Sequence, residues 1–154
     1  MAGILRSHSG KKINSKKKGK VGIVIAKWNE EITEALRTGA REALLASGFK
    51  KSEIIEVMVP GSFELPLGAQ RLAKQKGVSG VICIGCLIKG DTPHFDYISQ
   101  AVAHGIMNVG LETSKPIIFG VLTTNTRQQA IDRAGGKLGN KGEEAAVSLM
   151  EMLE

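Results

Sequence analysis

The chain has 154 residues, 42% of them hydrophobic, with three histidines, two cysteines and a formal net charge of +6 at neutral pH. That length holds one domain with a full core. No apolar run approaches the roughly 18 to 20 residues a membrane helix needs, and no signal-peptide stretch opens the chain, so a cytoplasmic protein with no membrane partner is expected.

The charge is uneven. Residues 1–20 carry seven Lys or Arg (Arg6, Lys11, Lys12, Lys16, Lys17, Lys18, Lys20) and no acid, leaving 14 basic residues against 15 acidic ones beyond. No aromatic residue is interleaved to stack on bases, so a solvated arm is expected there rather than a nucleic-acid grip. The expected organisation is a basic, mobile arm over residues 1–19 and a single α/β domain over residues 20–154.

From Val21 to Ala26 a short apolar run reads as a strand buried on both faces, followed by Trp28 and Asn29. Ile32, Leu36, Ala40, Ala43 and Leu44 then recur at helical spacing until Ser47-Gly48. A second strand is expected over Ile54–Val59, broken by Pro60-Gly61, with a helix over Leu65–Lys76. A third runs over Val81–Ile88 and opens through Gly90. There Asp91 or Thr92 is expected to cap, with Pro93 at the first helical position and His94 in the first turn. That helix carries Ile98, Val102 and Val109 on one face and ends at Lys115-Pro116. The fourth strand is expected over Ile117–Leu122, with Thr123 to Thr126 as a cap-rich turn before a helix through Gln129 and Arg133. After an interruption at Gly135, Gly136, Gly139 and Gly142, a last helix shows Ala145, Ala146, Leu149 and Met152.

Strict strand–helix alternation implies a parallel sheet with helices on both faces, and ligands in such sheets sit beyond the carboxyl ends of the strands. The residues after each strand should therefore form one rim: Trp28 and Asn29, then Gly61 to Glu64, then Gly90 to His94, then Thr123 to Thr126. A helix start attracts phosphate or carboxylate, and imidazole is the side chain whose ordinary titration lies nearest neutrality. Cys83 and Cys86 fall three apart in a strand, facing opposite sides, so buried thiols are expected rather than a redox or metal pair. The glycine-rich stretch around Lys137 lacks the spacing of a nucleotide phosphate loop and follows a helix.

Trp28-Asn29, Val59 to Pro66, Gly85 to Tyr97, and Phe119 to Thr124 continuing through Ala130–Gly135 to Gly139–Gly142 stand in one order and spacing over about residues 20 to 154. Together they resemble the 6,7-dimethyl-8-ribityllumazine synthase family of riboflavin biosynthesis. The resemblance implies an α/β three-layer sandwich with a four-stranded parallel sheet in flavodoxin-like order, flanked by helices on both faces. The implied activity is a transferase one: condensation of 5-amino-6-(D-ribitylamino)uracil with 3,4-dihydroxy-2-butanone 4-phosphate by Schiff-base formation, phosphate elimination and ring closure. Neither metal nor organic cofactor is implied. On the family pattern Trp28 stacks on the pyrimidine, Ser62, Phe63 and Glu64 take the ribityl chain, and Cys86, Leu87 and Ile88 line the pyrimidine pocket through backbone. Asp91 and Thr92 match phosphate-binding positions, joined by Arg133, and His94 matches the proton-transfer residue. Phe119 and Lys141 match further binding positions. Glu144 is expected to orient Arg133.

The resemblance also implies a homopentamer with active sites shared between adjacent subunits, in many members closed into an icosahedral 60-mer, with riboflavin synthase a candidate partner. A segment within Ile4 to Ile13 is then expected to add a strand to a neighbour's sheet. Lys89 stands where Arg is frequent, Asp91 where a small residue is frequent, and Trp28 where Phe is usual; the larger ring is expected to favour flavin-like products. A flavin- or lumazine-binding shell protein without catalysis is the alternative, against which His94 and Arg133 both speak.

Overall fold

A computed structural model describes residues 19–154. The arm expected over residues 1–19, and the strand-adding segment within it, lie outside the described residues save for Gly19.

The main sheet has four parallel strands: β1 (Lys20–Ala26), β2 (Ile54–Val59), β3 (Val78–Ile88) and β4 (Ile117–Thr124), in the order β2-β1-β3-β4. β1 and β3 are central, and their stretches 21–26 and 80–86 are buried without a break, because both of their faces are covered. The chain leaves β1 toward one edge and returns to place β3 on the other side, which puts the switch point between their carboxyl ends.

Each face has its own helices. Ile32, Leu36, Ala40 and Leu44 of α1 (Glu30–Ala46) meet Ala145, Ala146 and Leu149 of α5 (Lys141–Leu153) over Ile23, Ile25, Ile82 and Ile84. On the opposite face Leu65, Ala69 and Leu72 of α2 (Leu65–Ala73) join Val102, Ile106 and Val109 of α3 (His94–Thr113) over Val24, Val81, Cys83 and Val121. This is the expected three-layer α/β sandwich, and Cys83 and Cys86 do fall on opposite faces. α1 and α5 pack closely: a Cβ on Gly142 would stand 1.8 Å from the Leu36 carbonyl oxygen, so only glycine fits there.

Several boundaries differ from expectation. β3 begins three residues earlier, at Val78, after the Gly77 turn, because the stretch before Val81 still pairs with Lys20 and Val21. β4 runs on through Thr123 and Thr124, opposite Leu87 and Ile88, where the sequence suggests a turn. α2 ends at Ala73 rather than Lys76. The short α4 (Arg127–Arg133) is capped by Thr126, whose Oγ1 accepts from Gln129 N at 3.2 Å. The glycines after it form a small antiparallel hairpin, β5 (Ala134–Gly136) with β6 (Gly139–Asn140). No helix among the described residues is long and apolar enough to cross a membrane.

Candidate active site

The carboxyl ends of the four strands are tied to one another just beyond the ladders. Lys27 N donates to Val59 O at 3.0 Å, and Lys89 N to Thr124 O at 2.8 Å. Asn29 Nδ2 donates to Cys86 O at 2.9 Å, joining the β1–α1 turn to the end of β3. Trp28 and Asn29, Gly61 to Glu64, Gly90 to His94 and Thr123 to Thr126 thus lie at the carboxyl ends of the four strands, with Thr123 and Thr124 still inside β4.

Trp28 and Phe63 are both exposed, at 73% and 59%, although large aromatics ordinarily gain most by burial. The indole edge lies over Gly61, where a Cβ would stand 3.2 Å from Trp28 Cδ1. On its other side Gly61 N donates to Glu64 Oε2 at 3.0 Å. A glycine thus lets the ring lie against backbone while Glu64 is held by the same residue.

Ser62 is 4% exposed, and its hydroxyl has no hydrogen-bond partner among the described residues. It stands 2.6 Å from the position a Cβ on Gly85 would take, so the Ser62–Glu64 turn packs directly against β3. A buried hydroxyl left unpaired costs about 1 to 3 kcal/mol.

The loop after β3 departs from its expected capping. Pro93, with φ −70° and ψ 1°, is the N-cap of α3, and no side chain caps the helix. Asp91 and Thr92 are exposed and stand ahead of the helix, so no side-chain oxygen closes its first-turn N–H groups, of which Asp96 N donates to Pro93 O at 3.1 Å. His94 opens the helix, exposed, with no hydrogen-bond partner for its imidazole among the described residues. α3 packs on the Ser62–Glu64 turn, which places the imidazole's helix beside the Phe63 loop.

Three of the expected residues lie elsewhere on the chain. Phe119 is opposite Cys83 in the middle of edge strand β4, five residues, about 16 Å, before the strand's end. It packs on the α2–α3 face. Arg133 ends α4 and Lys141 begins α5, on the side of the fold where α1 and α5 pack. Arg133 donates to both oxygens of Glu144, at 2.8 and 3.0 Å, and to Leu138 O at 2.6 Å; none of its hydrogen bonds goes to the Gly90–His94 loop. Lys141 Nζ reaches Glu144 Oε2 at 3.5 Å. Burial would raise the Glu144 carboxyl, but the Arg133 hydrogen bonds and charge, with Lys141, outweigh it and hold the group below the usual carboxylate range. Glu144 thus grips Arg133 as expected, while one chain by itself does not bring Arg133, Lys141 and Phe119 to the rim of Trp28 and His94.

Sequence reasoning assigned no role to Arg127 or Glu31. Their side chains pair across the end of β3, joining the first turn of α4 to that of α1. The Arg127 charge opposes the burial that pushes the Cys86 thiol up to about 11. Nothing in the local pattern of either helix marks the pair, since 96 residues separate them. Among the described residues no group of three or more His, Cys, Asp and Glu side chains is placed to hold a metal ion.

Residues 18–154 match the family model described as 6,7-dimethyl-8-ribityllumazine synthase. Among curated proteins, a 6,7-dimethyl-8-ribityllumazine synthase of Cytophaga hutchinsonii is 61% identical over 132 residues, covering 86% of this chain and 83% of the relative. The protein of that name from Parabacteroides distasonis is 52% identical over 133 residues, covering 86% and 83%. The one from Thermus thermophilus is 48% identical over 134 residues, covering 87% and 85%.

Proposed function

Because the chain belongs to the 6,7-dimethyl-8-ribityllumazine synthase family, we propose that the rim from Trp28 to His94 is where it makes the lumazine. The activity is the condensation of 5-amino-6-(D-ribitylamino)uracil with 3,4-dihydroxy-2-butanone 4-phosphate, giving 6,7-dimethyl-8-ribityllumazine, phosphate and water. What supports the location is that two exposed aromatics, an unpaired buried hydroxyl and an uncapped helix start bearing a histidine all follow the carboxyl ends of strands in one parallel sheet.

In this reading Trp28 supports the pyrimidine face while backbone groups of Cys86, Leu87 and Ile88 meet its edge. The Ser62 hydroxyl and the Glu64 carboxylate take the ribityl hydroxyls, with Phe63 closing over them. The phosphate rests on backbone N–H groups about Asp91 and Thr92 at the start of α3, with no direct part for the Asp91 carboxylate. Schiff-base formation joins the substrate amine to the ketone carbon and releases water. Elimination breaks the C–O bond to phosphate and leaves an enol, which tautomerises to a new carbonyl at the hydroxyl-bearing carbon; the ribitylamino nitrogen attacks that carbon, and ring closure releases its oxygen as a second water. Each step moves a proton, and His94 accepts and returns them. Arrangement of two soluble reactants supplies most of the acceleration, an effect worth up to about 7 to 11 kcal/mol.

Phe119, Arg133 and Lys141 enter the site from a neighbouring copy, which makes the pentamer the catalytic unit and Arg133 the second grip on phosphate. Residues 20–154 form the catalytic domain, preceded by the basic segment of residues 1–19, and the protein works in the cytoplasm. The test mixes both substrates with the purified protein and follows lumazine absorbance against an enzyme-free control. Acceleration lost in His94→Ala supports the assignment; a full rate in that variant removes the role of histidine, and no acceleration by the wild type removes the synthase reading. Light scattering separates a pentamer from a closed shell.

A further inference from the structure

We infer that Asn29 is a positioning residue that sets both walls of the pyrimidine pocket at once, the Trp28 ring and the Cys86 carbonyl. The inference rests on the proposal that the pyrimidine lies between them.

Asn29 has φ 59° and ψ 49°, one of two non-glycine residues with positive φ among those described. The left-handed region crowds Cβ against the following carbonyl, and asparagine is among the few side-chain-bearing residues that enter it readily. Such conformations persist where the surroundings hold them, and they gather at functional sites.

The side chain is not used as an N-cap asparagine ordinarily uses it. An N-cap asparagine accepts from the backbone N–H of the second or third helical residue. Here no side-chain cap bond is made, and the backbone oxygen of Asn29 takes Ile32 N and Thr33 N at 2.9 and 3.0 Å. The helix start has other support as well, with Glu30 and Glu31 in the first turn and Glu31 paired to Arg127. The amide is sent instead 57 residues along the chain, to Cys86 O at 2.9 Å.

That carbonyl lies beyond the β1–β3 ladder, whose pairing ends at Ile25 with Ile84. Asn29 therefore continues the ladder with a side chain and fixes the β3 backbone just where the pyrimidine edge is to be read. The same left-handed turn follows Trp28 directly and directs its indole over Gly61. One residue thereby couples the spacing of stacking surface and backbone edge, which sets how well a flat ring fits between them.

The lone tryptophan makes this measurable. Asn29→Gly and Asn29→Asp both accept the left-handed backbone and lose the amide donor. In both, KM for the pyrimidine substrate is expected to rise about tenfold, the equivalent of one good hydrogen-bonded arrangement. kcat and KM for the ketone phosphate are expected to stay within about twofold, since only binding of one substrate is affected. Trp28 anisotropy should fall and its emission shift to the red. Wild-type pyrimidine KM with unchanged Trp28 anisotropy in Asn29→Gly overturns the inference. Losses spread evenly over both substrates and kcat with Trp28 unaltered, or failure of both variants to fold, also overturn it, because they mark a purely structural role. Trp28→Ala is the parallel arm. An unchanged pyrimidine KM there removes the pocket reading itself, whereas a raised one beside a normal Asn29→Gly removes only the role of Asn29.

Discussion

Replacing Glu144 by Gln keeps the shape of the side chain and one acceptor oxygen but removes the charge that Arg133 and Lys141 share. The carboxylate receives both Arg133 nitrogens, at 2.8 and 3.0 Å, with side chains 20% and 12% exposed, so the pair is largely shielded from water. Hydrogen bonds to charged groups contribute about 1.5 to 3 kcal/mol each, and desolvation of the two ions sets against that gain. A net loss of about 2 kcal/mol is expected, or about 6 °C in the thermal midpoint for a chain of this size. Glu144 is held below the usual carboxylate range, so the unfolded chain binds its proton first as pH falls. The stabilisation is therefore complete above the ordinary glutamate value of about 4.3 and is lost as pH drops through the folded value. Thermal scans of both proteins at fixed concentration should show the full gap at pH 7, narrowing steadily below about pH 4. A gap of undiminished size at pH 3, or none at pH 7, would refute the reasoning. KM for the ketone phosphate should rise about threefold, because an unbraced guanidinium loses its orientation; an unchanged value would count against Glu144 as the residue that aims Arg133.

Burial pushes the Cys83 thiol up to about 12 and that of Cys86 to about 11, the latter against the nearby Arg127 charge. Neither should react with a thiol reagent at pH 8 until denaturant is added, and rapid labelling of the native protein would contradict this. Gly142→Ala puts a Cβ 1.8 Å from Leu36 O, so α5 must move off α1 at a cost of about 3 kcal/mol or more; an unshifted urea midpoint would exclude that close contact. Ser62→Ala removes a buried unpaired hydroxyl and should leave stability unchanged or raise it by about 1 kcal/mol, while raising KM for the pyrimidine substrate with its ribityl chain. A stability loss without a KM change would place the Ser62 hydroxyl outside the site. Riboflavin titration should quench Trp28 fluorescence if the broad exposed indole favours flavin-like products, and absence of quenching removes that expectation.

The alternation of strands and helices is legible in the residue order, and with it the expectation that the loops after the strands share one rim. A branched apolar run such as Val21–Ala26 is satisfied inside a sheet covered on both faces, and parallel strands bring every strand end to one side. The motifs around Trp28, Phe63 and His94 likewise stand in the residue order. Local pattern could not supply what depends on distant partners. Asp91 and Thr92 look like caps, yet Pro93 takes that position; Thr123 and Thr124 look like a turn, yet pairing with Leu87 and Ile88 keeps them in β4. Packing alone reveals that no hydrogen bond of Arg133 reaches the His94 loop, that the Ser62 hydroxyl is left unpaired, and that the Asn29 amide goes to Cys86. The physical reason is the same in each case: a short polar side chain or a guanidinium takes whichever partner the packed layers bring within about 3 Å, and that partner can lie anywhere in the chain.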